Sequence, residues 1–232
     1  MIREIHILRD DAAARYSSVL ADATGALLTR SYEEATEVLS PIAGEVWMGS
    51  LALHGKTAEG VTVRTSRSVP DRIRAQVFLR DGFLCSYCHG RTIPRNVLVA
   101  LSDVFPDALG YHLHYKRGAL HPVYWALAPE ADHTLAHANG GSSEIENLTT
   151  MHARCNTMKS SLAVESLPEV AAAARTTSGS WDGLLSRYAD IVIAGNSHGR
   201  RHAAPDYHLR WLRDYGLLED RARVLTAAAG RT

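Results

Sequence analysis

Asp132-His133-Thr134-Leu135-Ala136-His137-Ala138-Asn139-Gly140-Gly141, continued by Asn147-Leu148 and then by His152-Ala153-Arg154-Cys155-Asn156-Thr157-Met158-Lys159, is the stretch that decides the fold. Its pattern predicts a short strand ending in Asp132-His133, a reversal at the paired glycines, and a polar loop leading into a helix. A carboxylate beside an imidazole, and a helix carrying His, Cys and Asn, are residue types that bind metals and move protons. One hairpin and one helix bring them together. Upstream, Cys85-Ser86-Tyr87-Cys88 supplies two thiolates at knuckle spacing, and with His152 and Cys155 these can complete a four-ligand zinc site. His89 is an alternative fourth ligand. Two sites therefore share one small unit.

At these positions the sequence resembles the HNH endonucleases of the ββα-metal superfamily. The family pattern is a CxxC knuckle, an Asp-His pair, a Gly-Gly turn, an Asn-Leu, a second metal-binding pair three apart, an Asn or His directly after it, and a Lys three further on. Here these are Cys85 and Cys88, Asp132 and His133, Gly140 and Gly141, Asn147 and Leu148, His152 and Cys155, Asn156, and Lys159. The likeness spans roughly residues 70 to 160. It departs in His152, where the family usually has Cys, in Ala136, where a proline is common, and in the long gap from Cys88 to Asp132.

The resemblance implies an α+β fold whose ββα-metal core carries a structural zinc on Cys85, Cys88, His152 and Cys155. It also implies a catalytic centre in which His133 is the general base, Asp132 and Asn156 hold Mg²⁺ or Mn²⁺, and Asn147 ties the loop to the His133 strand and directs the imidazole. A histidine with its ordinary pKa of about 6.5 is mostly neutral near pH 7, as a base must be. Cys155 and Asn156 are successive helix residues and point about 100° apart, so one helix can serve both ions without mixing them. Taken singly, His133 reads as an ordinary strand histidine, Asn147 as a helix cap and Asn156 as a polar helix residue. Their joint spacing is what argues for a nuclease.

The chain has 232 residues, 46% of them hydrophobic, with a formal net charge of zero, and no apolar run long enough to cross a bilayer. Its first residues, Met1-Ile2-Arg3-Glu4-Ile5-His6, lack the uninterrupted apolar segment of a signal peptide, so a cytoplasmic protein is the expectation. All three cysteines are candidate ligands, which argues for reduced thiolates over a disulfide framework. Zero net charge hides an uneven distribution. Seven arginines lie between Val61 and Asn96 against Asp71 and Asp81, whereas the first sixty residues are acidic. Such a cluster is either a solvated face or, beside a nuclease core, a phosphate contact, with Arg72, Arg74, Arg80, Arg91 and Lys159 as the candidates on double-stranded DNA.

Three regions are expected: an N-terminal helical and β region over 1–68, an HNH core over 69–165 with an insertion at about 97–121, and a helical C-terminal region over 166–232. Asp11 to Leu28 reads as a helix, and Ser31-Tyr32-Glu33-Glu34 has the spacing of a capping box that starts another. Val46-Trp47-Met48, Leu51-Ala52-Leu53 and Val61-Thr62-Val63 suggest strands joined by turns. Pro70 to Arg80 reads as a helix ending at Asp81-Gly82, and Val123 to Leu127 as a strand entering Asp132-His133. The insertion, with His112, His114, Lys116 and Arg117, either packs on the core or contacts DNA. Trp181 to Ala194 and Pro205 to Leu218 look helical, and Arg200-Arg201 between them reads as part of an exposed loop, with a phosphate grip as the alternative. Leu209, Trp211 and Leu212 point either to burial or to a homodimer contact.

Two function classes follow. One is a metal-dependent DNA endonuclease of restriction or other defence type, with homing and phage roles as variants. The other is a zinc-stabilised nucleic-acid-binding module without cleavage. Retention of Asp132, His133, Asn147 and Asn156 together favours the first, because a pure binder has no use for that set.

Overall fold

Ser31 starts a helix two residues after the preceding one ends at Thr29. In the computed structural model of the chain its backbone is extended (φ −149°, ψ 165°) and its hydroxyl accepts the Glu34 N–H at 3.1 Å, which caps helix α2 (Tyr32–Leu39) as the capping box predicts. Helix α1 (Ala12–Thr29) precedes it and buries Tyr16, Leu20 and Ala23 along one side. The structure describes residues 2–51, 68–160, 162, 164, 167–169, 181–198 and 205–229.

Strand β1 (Arg3–Ile5), too short to leave a signal in the sequence, pairs in parallel with β2 (Glu45–Trp47). Glu45 is almost wholly buried and is held by three partners: the Tyr16 hydroxyl at 2.6 Å, Arg15 at 2.9 Å and Arg3 at 3.6 Å. This network fastens α1 to the small sheet, since a buried carboxylate is tolerated only when paired and hydrogen-bonded. The strands expected at 51–53 and 61–63 lie, apart from Leu51, outside the described residues.

Helix α3 (Asp71–Arg80) follows the reading, with Pro70 at its N-cap and Gly82 in the left-handed region (φ 61°) just past its end. Two elements do not follow it. The insertion, expected to be irregular, begins inside helix α4 (Arg95–Val104), whose residues from Asn96 to Val104 are all buried. Its three valines, Val97, Val99 and Val104, weaken its propensity, and the turn residues Pro106, Gly110 and Gly118 that follow dominate the reading of the stretch, so its ten residues pass unnoticed. The segment Val123–Leu127, read as a strand, is a short helix, α5. Pro122 opens it with φ −59°, and burial of Val123, Tyr124, Ala126 and Leu127 decides its conformation where β-propensity pointed the other way.

The hairpin is as expected but starts later: β3 (Pro129–His133) pairs antiparallel with β4 (Leu148–His152), with His133 opposite Leu148 and Pro129 opposite His152. Helix α6 (Ala153–Lys159) continues directly from β4 and completes the ββα unit. Three C-terminal helices follow, α7 (Tyr188–His198), α8 (Pro205–Asp214) and α9 (Leu218–Ala229); the last was not anticipated, and Gly216 at φ 78° separates it from α8. Trp211 and Leu212 are buried against the chain's own core, which answers their apolar character without a second copy. Arg200-Arg201 lies outside the described residues. One hydrophobic core runs from Leu8 through α4 and α5 to Val224, and a separate small one holds Cys85, Met151 and Cys155.

His121 sits inside the larger core. Its Nε2–H donates to the Ile42 carbonyl at 2.8 Å and its Nδ1 accepts the Val123 N–H at 3.1 Å, a pair that only the neutral ring can make. Burial pushes its pKa down to about 4. Below about pH 6.5 the unfolded chain therefore takes up a proton that the folded one refuses, and stability falls by up to about 1.4 kcal/mol per pH unit until about pH 4. Denaturant titrations at pH 7, 6 and 5 should show this slope in the native chain and lack that increment in His121→Gln. Equal slopes would contradict it.

Candidate functional site

The knuckle is a tight turn. Cys85 donates its N–H to the Gly90 carbonyl at 2.9 Å and accepts that of His89 at 2.8 Å, and Leu84 and Arg91 form a β-bridge at its base. The Ser86 N–H donates to the Thr150 carbonyl at 2.8 Å, which fixes the turn against β4. His152, the last residue of β4, and Cys155, in the first turn of α6, complete the group: one ligand atom from each of Cys85, Cys88, His152 and Cys155 lies within 4.8 Å of the others. The His152 Nδ1 is 3.2 Å from the Cys88 sulfur and 3.8 Å from that of Cys155. Donors on a tetrahedral zinc lie about 3.6–3.8 Å apart, so the set fits a closed zinc site. His89 is exposed and is not part of the cluster.

Two details of this centre have no signature in the sequence. The Arg91 carbonyl accepts the His152 Nε2–H at 2.9 Å, which leaves Nδ1 as the ligand face. A Cβ on Gly90 would stand 3.1 Å from the His152 ring and 3.4 Å from the Cys88 sulfur, so that position has little room for a side chain. Without a cation the buried cluster shares its protons. Burial pushes the Cys85 thiol up, but hydrogen bonds from Cys155 and Cys88 and the nearby His152 outweigh it and hold Cys85 well below its ordinary range. Burial likewise pulls His152 down, and the Cys85 and Cys88 sulfurs more than reverse that. A divalent ion would take the place of those protons.

The second site is built on the same hairpin. Asp132 and His133 end β3, each about 8% exposed. The fourteen-residue connection to β4 is organised by Asn147: its Oδ1 accepts the Leu135 N–H at 2.8 Å, its Nδ2 donates to the carbonyls of Leu135 (3.1 Å) and Ser142 (2.8 Å), and its own carbonyl accepts the Thr134 N–H at 2.8 Å. Gly140 takes φ 89°, and a Cβ on Gly141 would lie 1.8 Å from the Leu135 oxygen, so both glycines are needed for the loop to pass beneath that amide. The His133 Nε2 meets the Ser143 hydroxyl at 3.1 Å, and the His137 ring stands edge-on to it at 5.7 Å.

Lys159 contradicts its reading as a phosphate contact. It is fully buried, with Nζ 2.9 Å from Asp132 Oδ2 and 3.0 Å from the His133 carbonyl, so it is an internal cation that holds both residues and does not meet DNA. Asn156 is half-buried one helical turn before it, hence on the same side of α6. Burial pushes the Asp132 carboxyl above its ordinary range, and Lys159 pulls it part of the way back. A carboxylate and a side-chain amide oxygen fit Mg²⁺ or Mn²⁺, hard ions that take one or two protein oxygens and keep several waters.

The four arginines named as DNA candidates have different surroundings. Arg72 is exposed. Arg74 pairs with Glu130 at 2.8 Å, beside Arg95 on the other oxygen at 2.7 Å. Arg80 spans from α3 to the hairpin, donating to the carbonyls of Ile145 (2.8 Å) and Leu148 (2.6 Å) and to Asp81 (2.7 Å). Asp81 in turn accepts the Thr150 N–H at 2.8 Å, which makes Arg80 a clamp on the ββα unit. The Arg91 guanidinium lies 4.7 Å over the Trp181 ring. Arg72 is thus the candidate left most open to a phosphate.

Residues 125–162, which include β3, β4 and α6, match the family model described as HNH endonuclease. The knuckle cysteines 85 and 88 lie outside the matched stretch. No curated protein and no solved structure matches the chain.

Proposed function

We propose, from the premise that residues 125–162 are an HNH endonuclease element, that this chain is a metal-dependent endonuclease hydrolysing phosphodiester bonds in double-stranded DNA, of restriction or other defence type. The observation that carries this reading is the joint placement of Asp132 and His133 at the end of one strand, both gripped by Lys159, under a loop that Asn147 organises. A module that only bound nucleic acid would gain nothing from desolvating a carboxylate and an imidazole side by side.

In this reading His133 accepts the proton of the attacking water, whose oxygen bonds to phosphorus while the 3′ oxygen departs. Asp132 and Asn156 would hold Mg²⁺ or Mn²⁺, which would supply charge neutralisation for the phosphoryl group and the leaving oxygen. Lys159 keeps Asp132 and the His133 backbone in register. Cys85, Cys88, His152 and Cys155 would hold a structural zinc, and these four donors would fix α6 to the knuckle. Residues 69–165 form the nuclease core, the 97–121 insertion packs on it through α4, and the 1–68 and 166–232 regions flank it. Three thiolates that must stay reduced suit the cytoplasm, and no helix among the described residues is long and apolar enough to cross a membrane.

Supercoiled plasmid, modified and unmodified, incubated with Mg²⁺, Mn²⁺ or EDTA tests the reading. Cleavage is expected with either cation and not with EDTA. One base and one cation address one strand, so a monomer should give nicked circles first, and sizing of the DNA complex shows whether linear product requires two copies. His133→Ala should lower cleavage about 10²- to 10⁴-fold with plasmid affinity retained. Undiminished cleavage in that variant would remove His133 from its role.

A further inference from the structure

The imidazole of His133 has two nitrogens, and a base needs the lone pair on the one that faces the water. Which nitrogen carries the proton is set by the hydrogen bond made at the other. Here Nε2 lies 3.1 Å from the Ser143 hydroxyl. A hydroxyl can donate or accept, so this contact alone permits either tautomer. Its placement is not accidental. Asn147 Nδ2 holds the Ser142 carbonyl at 2.8 Å, and the turn that brings Ser142 there requires a glycine at 141. The next residue is Ser143. The amide of Asn147 therefore reaches the imidazole through one intervening residue of the loop, delivering a hydroxyl to its Nε2.

We propose that Ser143 is a positioning residue, whose oxygen accepts the Nε2–H of His133 and so reserves the Nδ1 lone pair for the proton of the attacking water. The inference rests on His133 being the base of a nuclease, and it gives Asn147 a specific means of acting: it sets the tautomer by placing Ser143. The ring contact with His137 at 5.7 Å restrains the plane of His133 but assigns no proton. In the cleavage step Nδ1 takes one proton from water and Nε2 keeps its own, now donated more strongly to Ser143 because the ring is cationic.

The test uses the purified full-length chain. Ser143→Ala should lower kcat for plasmid nicking about 10- to 100-fold, by analogy with the loss of the hydrogen-bond partner that orients a metal-ligating imidazole, with KM and DNA affinity unchanged. Ser143→Thr keeps the hydroxyl and should restore most of the rate. Nitrogen NMR of ¹⁵N-histidine-labelled protein, which needs neither substrate nor cleavage, should show His133 protonated on Nε2 in the native chain and as a tautomer mixture in Ser143→Ala, at equal thermal stability. Native protein with His133 protonated on Nδ1, or Ser143→Ala with native kcat and an unchanged tautomer, would overturn the proposal. A chain that cleaves nothing, or an active His133→Ala, would instead remove the nuclease reading, and the nitrogen spectrum would still decide whether Ser143 sets the tautomer.

Discussion

Cys155→Ser is expected to release the zinc and loosen the whole ββα unit. Four ligands from three separate segments converge on one point: the knuckle turn gives Cys85 and Cys88, the end of β4 gives His152, and α6 gives Cys155. That closed set takes the place of a core. Among the described residues the hydrophobic cluster beneath it buries Cys85, Met151 and Cys155, with Tyr87, Cys88, Val164 and Leu167 partly buried against them, a small apolar area for holding a seven-residue helix in place. Binding of zinc to such sites contributes about 10–16 kcal/mol to folding of the segments it joins, and a hydroxyl in place of a thiolate forfeits much of it. Metal analysis should give one zinc per native chain and far less in the variant. The thermal midpoint should fall by at least roughly 10 °C, since about 1 kcal/mol shifts a domain of this size by about 2–4 °C. Cleavage should fall with it, because Asn156 and Lys159 share the helix that Cys155 anchors. A native chain that carries no zinc, with a variant that melts at the same temperature, would sink this account.

The site was legible in the sequence to the extent that its geometry is local. Asp132 and His133 are neighbours on one strand, and Cys85 with Cys88, and His152 with Cys155, are pairs on a turn and a helix, so their spacing carries their geometry. What fills the space between these pieces was not legible. Lys159 reads in the sequence as the last element of the family pattern and a candidate DNA contact, and Arg80 as part of a basic cluster. Only the packed structure shows one sealed between Asp132 and His133 and the other stapling α3 to the hairpin carbonyls. Helix α4 was hidden for a different reason. Its three valines lower helix propensity and the turn residues Pro106, Gly110 and Gly118 follow close behind, and Val123–Leu127, enclosed in the same core, takes the conformation its neighbours leave open.

Lys159→Met should cost about 3–5 kcal/mol of stability and leave what remains folded unable to cleave. The Lys159 ammonium is 0% exposed and has two partners, Asp132 Oδ2 at 2.9 Å and the His133 carbonyl at 3.0 Å. A buried ion pair contributes little net stability against an apolar pair of the same shape, because desolvation offsets the attraction. Removal of one member is a different matter: it strands the other charge in a poorly hydrated place, and that is where the cost of about 3–5 kcal/mol arises. The double variant Asp132→Asn with Lys159→Met removes the stranded charge as well. It should recover most of the lost stability and none of the cleavage, because Asp132 no longer offers a carboxylate to the cation. Denaturant midpoints of the two single variants and the double one measure the coupling, and the plasmid assay measures activity. If Lys159→Met lay within about 1 kcal/mol of the native chain, or if the double variant were as unstable as the sum of the singles, the pair would not be the internal brace that its distances describe.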